Sequence, residues 1–419
     1  MSEITPNSEL RIPSSTIDHT LSSGLRVVGQ RLERSPGVAL SLRIPAGAKD
    51  DPPNKFGLAN LVKETLFRGT KKKNARKLAD AFDYYGIRHG EYTGTEHTTV
   101  QIRFLSEHLE PALALLKEVI AQPAFSKADV ETARIQSIQE LKHLDDDTMS
   151  KVFVLLKELY FGSHWGHSEL GTEASLPEIA RDDVEAFWKA HFIPAGSVVA
   201  AVGKFDPEAL MKQLETLFPR SSDPWPREES PRPPAQTIVQ HDTKDSEQTQ
   251  IALAFPCVPR KDPRYDAARL AVGALAGGMS SRLFTEVREK RALVYTVGAQ
   301  VSSLRDSGLV FAYAGTTTAR AKETLEVIRA EITRLGQDLT QEELDRARVG
   351  VKSNLLMDQE STGARAREML DSVFFEGRIV SPQETIERLH AVTLQDACDY
   401  WNSHPAEPYA LATIGREPL

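Results

Sequence analysis

The sequence predicts an α+β protein of two homologous halves, each a largely antiparallel sheet with helices packed on one face. Three observations lead there. Strand-like and helix-like segments occur twice in the same order, they lack the strict strand–helix alternation of a doubly wound fold, and a proline-rich stretch divides the chain. That stretch runs from Pro219 to Pro234 and holds six prolines in sixteen residues. Prolines at this density fix φ and remove N–H donors, so the segment reads as extended and solvated. The predicted division is residues 1–218, a linker at 219–236, and residues 237–419.

In the first half, the alternating run Val38 to Lys49 suits a strand. Gly57 to Phe67 follows as a helix, because Leu58, Leu61, Val62, Thr65 and Leu66 recur at helical spacing. A second helix, ARKLADAFDYYG, ends at Gly86, a residue suited to a helix C-terminus. TEHTTVQIRFL reads as a strand, and EHLEPALALLKEVIAQP as an amphipathic helix stopped by Pro123.

The second half repeats this order. QTQIALAFPC is a strand, DPRYDAARLAVGALA and SRLFTEVREKR are helices, ALVYTVGAQVSS and SGLVFAYAGTT are strands, and ARAKETLEVIRAEITRLGQ is a helix. Matching Ile251 to Leu40 gives an offset of 251 − 40 = 211 residues. That period is too long for a solenoid and fits a duplicated domain.

The 419 residues are 40% hydrophobic and 26% charged, a globular composition. Lys plus Arg (51) against Asp plus Glu (59) gives 51 − 59 = −8, which argues against a general binder of nucleic acid or anionic membranes. Cys257 and Cys398 stand far apart and make neither a disulfide framework nor a thiolate zinc site. The first residues, MSEITPNSELRIPSS, lack the basic and apolar regions of a secretory signal. No run of about 18 apolar residues occurs, so no membrane span is predicted. A cytoplasmic protein is the resulting expectation.

Two segments carry a family resemblance: GLANLVKETLFRGT (Gly57 to Thr70) and AGGMSSRLFTEVREKRALVYTVG (Ala276 to Gly298). With the duplicated halves and the linker, they resemble the pitrilysin/insulinase family of zinc peptidases, near its mitochondrial-processing-peptidase branch. The resemblance covers nearly the whole chain and implies the LuxS/processing-peptidase-like metalloenzyme fold. Active members carry HxxEH on the first helix, where two histidines on one face reach Zn²⁺ and the glutamate activates water. A downstream glutamate completes three protein ligands.

In this chain those positions read Asn60, Lys63 and Glu64, and the downstream glutamate matches Glu140. A further acid that the family often carries is Ala133 here. An ammonium at Lys63 cannot take a proton from water near neutral pH and puts positive charge where Zn²⁺ would sit. Asn60 is a weak neutral donor for zinc. The first motif therefore reads as a degenerate zinc site, with Lys63 available to pair with Glu140 on a salt-bridged surface.

In the second motif Arg288 and Tyr295 match the family's Arg/Tyr pair. In active members that pair hydrogen-bonds the substrate backbone from the opposite half, a task that suits a guanidinium fork and a phenol. The plainer reading has Arg288 paired with a helix acid such as Glu286 and Tyr295 as an ordinary strand residue. Gly277-Gly278 permits positive φ or close backbone approach, without the context of a phosphate loop. Lys71-Lys72-Lys73 reads as a solvated charge run near a helix C-terminus. His164 and His167 fall in a loop whose character in the family does not suggest metal binding.

Some members of the family work as heterodimers in which one subunit carries HxxEH and the other the Arg/Tyr pair. The resemblance implies that this chain is the second kind. It would hold no metal, bind peptide or unfolded polypeptide along a sheet edge, and lend Arg288 and Tyr295 to the zinc site of a similar-sized HxxEH partner. No nucleic acid or membrane is expected as a partner. Two alternatives remain: a non-catalytic subunit like the core proteins of a respiratory complex, and an autonomous peptidase using Asn60, Glu64 and Glu140 around another metal.

Overall fold

A computed structural model describes residues 16–218 and 229–419. The leader-free reading of the first fifteen residues, and linker residues 219–228, lie outside that range. In chain order the elements are β1 (Thr16–Thr20), β2 (Arg26–Arg31), β3 (Gly37–Ile44), α1 (Leu58–Leu66), α2 (Ala75–Tyr84), β4 (Arg88–Thr93), β5 (Thr98–Leu105), α3 (Leu109–Ala121), α4 (Lys127–Asp146), α5 (Thr148–Gly166), α6 (Arg181–His191), β6 (Val198–Gly203) and α7 (Pro207–Leu214). Then come β7 (Ile238–Thr243), β8 (Gln248–Cys257), α8 (Tyr265–Ala276), a π-helical stretch (Phe284–Glu289), β9 (Val294–Ser303) and β10 (Gly308–Thr317). They are followed by α9 (Thr318–Asp338), α10 (Gln341–Asp358), α11 (Thr362–Glu376), α12 (Pro382–Ala391), α13 (Leu394–Ser403) and β11 (Ala410–Gly415).

Local signals mark these elements closely. Tyr85 ends α2 and Gly86 turns left-handed at φ +59°, its N–H donating to the Asp83 carbonyl at 2.9 Å. The α3 helix stops at Ala121, before Pro123. SRLFTEVREKR, predicted as an ordinary helix, is π-helical over Phe284–Glu289. Gly277 is needed for close approach and not for positive φ: it sits at φ −79°, and a Cβ there would stand 2.5 Å from the Gly273 carbonyl. In the lysine run, Lys73 bonds both oxygens of Glu118 at 2.8 and 2.7 Å, so it is anchored on α3 and not freely solvated.

The chain forms two compact units. The first gathers the described residues up to His143, those from His167 to Phe218, and Asp358–Ser381; the second gathers Leu144–Gly166, Glu229–Met357 and Pro382–Leu419. The first sheet runs β1-β2-β6-β3-β5-β4 and the second β7-β11-β8-β10-β9. Apart from the extra β1, they share one plan. The β2–β6 and β7–β11 pairs are parallel, and the remaining neighbours in both sheets are antiparallel. The α+β class with duplicated sheet-and-helix halves holds.

Two features depart from the sequence reading. Each sheet carries helices on both faces. In the first unit, Val38, Leu40, Leu42 and Ile44 face the large core, while Ala39, Val28, Ala200 and Val202 meet Ala366, Leu370 and Val373 of α11. In the second, Ile251, Leu253 and Phe255 face the large core, while Ala252, Ala254, Ala410 and Ala412 meet Val152, Leu156 and Tyr160 of α5. Small residues on that second face let one helix lie close to the sheet. The second departure concerns connectivity. Helices α5 and α11 hold equivalent places in the repeated element order, yet α5 packs in the second unit and α11 in the first. Among the described residues no helix is long and apolar enough to cross a membrane.

Candidate functional site

Helix α1 is held at its start by a buried carboxylate. The Gly57 and Ala59 N–H groups each donate to Asp51 at 2.7 Å, satisfying orphan donors at the helix N-terminus. His167 Nε2 lies 3.4 Å from Asp51 Oδ2, and its ring stacks on Phe56 with centroids 4.0 Å apart. Burial pushes the Asp51 carboxyl up from its ordinary range, against the pull of His167 and the two N–H donors. The anchored helix carries Asn60, Lys63 and Glu64.

Asn60 is buried, and its Nδ2 donates to Ser137 Oγ on α4 at 3.4 Å. Arg68 adds a second tie to α4, from Nη2 to Gln136 Oε1. Glu140 lies one turn beyond Ser137 and is exposed. The expected Lys63–Glu140 pair is not formed: Lys63 pairs with its neighbour Glu64. Ala133, on the same helix, is fully buried and serves the core.

This donor set does not fit zinc. One imidazole position is a neutral amide already bonded to a hydroxyl, and the water-activating position is an ammonium. The other imidazole position is a carboxylate that this ammonium occupies. Among the described residues, no group of three or more His, Cys, Asp and Glu is gathered as a metal ion would require.

Arg288 and Tyr295 both sit at backbone irregularities in the second unit. Arg288 lies in the π-helical stretch, a local form common at functional sites. It is exposed, its guanidinium carbon lies 5.0 Å from the centre of the Phe284 ring, and it makes no ion pair among the described residues. Glu286, the acid that the plainer reading offered it, is taken by Lys290 at 2.6 Å and Arg291 at 2.7 Å. Tyr295 is 70% exposed. Along β9, Val294 pairs with Thr316 and Thr296 with Gly315, so Tyr295 is the extra residue of a bulge. Bulges re-aim side chains. Among the described residues strand β9 is also the last of its sheet.

Sequence reasoning missed the residues that support these positions. Arg282, inside the SSRLF run, is buried; its Nε donates to Glu343 at 2.7 Å, its Nη1 pairs with Asp338, and its Nη2 donates to the Asp338 carbonyl at 2.8 Å. It thus ties the start of the π-helical stretch to the α9–α10 junction. Asp51 and Ser137 had no periodic or motif signal, and His167 was read only as an unconvincing metal ligand.

The duplicated units, the altered triplet on α1 and the exposed arginine and tyrosine define a peptidase-like protein whose first helix lacks a zinc-binding set. Residues 26–172 match the insulinase (peptidase family M16) domain, and residues 178–350 match the domain described as the peptidase M16 inactive domain. The chain belongs to this insulinase, or pitrilysin, family. It is 30% identical over 404 residues to an uncharacterized zinc protease of Rickettsia bellii, covering 95% of this chain and 97% of that one. It is 27% identical over 401 residues to an uncharacterized zinc protease of Bacillus subtilis, covering 94% and 97%. In fold it is similar to the crystal structure of a peptidase M16 inactive domain from Pseudomonas fluorescens, with TM-score 0.88, 24% identity, and coverage of 96% and 99%. A protease from Helicobacter pylori gives TM-score 0.84, 18% identity, and the same coverage.

Proposed function

We propose that this chain is the zinc-less subunit of a two-subunit insulinase-type peptidase. It binds extended peptide and lends Arg288 and Tyr295 to the zinc site of an HxxEH-bearing partner of similar size. One contrast carries the reading. On the helix that should hold metal, Asn60 is bonded to Ser137 of α4 and Lys63 is paired with Glu64, whereas Arg288 and Tyr295 are exposed and free of carboxylate partners among the described residues. A guanidinium and a phenol can donate to the substrate carbonyl and to the oxyanion that develops on it. Relatives described as zinc proteases support peptide hydrolysis as the reaction class.

Edge strands supply the binding mode. Main-chain hydrogen bonds to an unpaired edge take a peptide with little regard to sequence. An autonomous peptidase built on Asn60, Glu64 and Glu140 has no coherent donor set behind it. The test is reconstitution. Purified chain is mixed with HxxEH subunits encoded in neighbouring reading frames, and cleavage of an unfolded polypeptide is followed. Activity in a mixture that neither subunit shows alone supports the proposal; no gain with any of them refutes it.

A further inference from the structure

The edge strand of the first unit carries a charge arrangement that peptide binding in general does not require. Arg88 on β4 and Arg103 on β5 are directly opposed in the antiparallel register. Both are exposed, and neither makes an ion pair among the described residues. Like charges facing each other across strands are destabilising, so the pair has a cost with no compensating carboxylate in the described chain. Helix α11 brings a third arginine alongside. A Cβ on Gly363 would lie 3.7 Å from Arg103 Cδ, and Arg367 stands one turn further along the helix, exposed and likewise without an ion pair.

The surface beside these arginines is open. Among the described residues strand β4 ends its sheet, and nothing beyond Gly90's own chain neighbours lies within 4 Å of where its Cβ would be. In the β4–β5 register Arg88, Gly90 and Tyr92 alternate onto one face, opposite Arg103, Gln101 and Thr99.

We infer that the β4 edge takes an extended peptide carrying carboxylate side chains at the end that meets Arg88 and Arg103. Strands lie about 4.8 Å apart, so a residue added opposite Arg88 stands about 10 Å from Arg103, within the combined reach of an arginine and a glutamate. Guanidinium–carboxylate pairs would then offset the Arg88–Arg103 repulsion. The inference rests on the peptide-binding reading above and names its substrate class.

The experiment uses the full chain and fluorescence anisotropy with three labelled peptides of equal length and high strand propensity. They carry Glu, Gln or Lys at two alternate positions near one end. The Glu peptide should bind at least about tenfold tighter than the Lys peptide at low salt, a factor that charge-assisted pairs supply. The preference should shrink at high salt. The double variant Arg88→Glu/Arg103→Glu should reverse it, and Arg367→Glu, which leaves the sheet untouched, should weaken it. Equal binding of all three peptides, or a preference unchanged by both variants, overturns the inference and leaves the peptide-binding reading standing. Failure of every peptide to bind overturns both. Tighter binding of single-stranded DNA than of the Glu peptide would mean that the patch reads phosphate, and would overturn the peptide assignment.

Discussion

Asn60 Nδ2 donates to Ser137 Oγ at 3.4 Å, and both side chains are buried. The α1 position where a family member would aim an imidazole at zinc serves here to join α1 to α4. The same stretch of helix keeps its packing role, since Leu58, Leu61, Val62 and Leu66 are all buried.

Metal retention follows from that substitution. The triple variant Asn60→His/Lys63→Glu/Glu64→His restores two imidazoles four residues apart, with Glu140 on the neighbouring helix as a third donor. It should hold near-stoichiometric zinc through dialysis, measured by atomic emission, while the natural chain holds essentially none. Stoichiometric zinc in the natural chain would end the degenerate-site reading.

Arg288 and Tyr295 should be silent for stability. Both are exposed, so Arg288→Ala and Tyr295→Phe should each shift unfolding free energy by no more than about 0.5 kcal/mol. In a reconstituted complex each should lower turnover by about 10²–10³, the usual effect of losing one transition-state donor. A stability loss matching the activity loss would assign them to structure instead.

Arg282 should behave in the opposite way. It is buried and pairs with Glu343 and Asp338; Arg282→Ala leaves Glu343 with its Thr340 donors alone, while Asp338 keeps Arg334, and should cost about 1–3 kcal/mol. Burial works to raise the Glu343 carboxyl, but the Arg282 fork and the Thr340 donors overcome it and hold the group down to about 2. A depressed carboxyl stabilises the fold above its ordinary value near 4.5, and that contribution fades as pH falls toward about 2. The stability gap between the natural chain and Glu343→Gln should therefore narrow on acidification through that window. Thermal unfolding across it is the check, and a gap that widens would contradict the assignment.

The exchanged helices give a prediction that runs against chain order. Leu370 of α11 is fully buried against the first unit's sheet, and Leu156 of α5 is buried against the second unit's. Each Leu→Ala change should cost about 2–5 kcal/mol. Hydrogen exchange should rise in β3 and β6 for Leu370→Ala and in β8 and β11 for Leu156→Ala. The reverse pattern would mean that each helix stabilises its own half of the sequence.

The candidate site was legible where it rests on motif and illegible where it rests on contact. Asn60, Lys63, Glu64, Arg288 and Tyr295 are found by matching positions to a family pattern. No pattern indicates that Lys63 takes Glu64 over Glu140, because that choice depends on how far apart two helices stand. The bulge at Tyr295 and the π-helical turn at Arg288 leave no mark in periodicity. An extra residue in a strand is visible only against the partner strand's register. Asp51 meets the start of α1 from only six and eight residues away but carries no helix-cap spacing, and Arg282 finds its carboxylates 56 and 61 residues on, so its burial is invisible until those counter-charges have a position.

By itself the sequence determined the repeated order of strands and helices, the class of fold, and the loss of an imidazole set on α1. These follow from side-chain period and donor chemistry, which are local properties. Tertiary structure decided which sheet each helix covers, including the exchange of α5 and α11, and which charges meet. An amphipathic helix presents the same apolar stripe to any sheet of small residues; only packing in three dimensions, with the connections it permits, selects between two such faces.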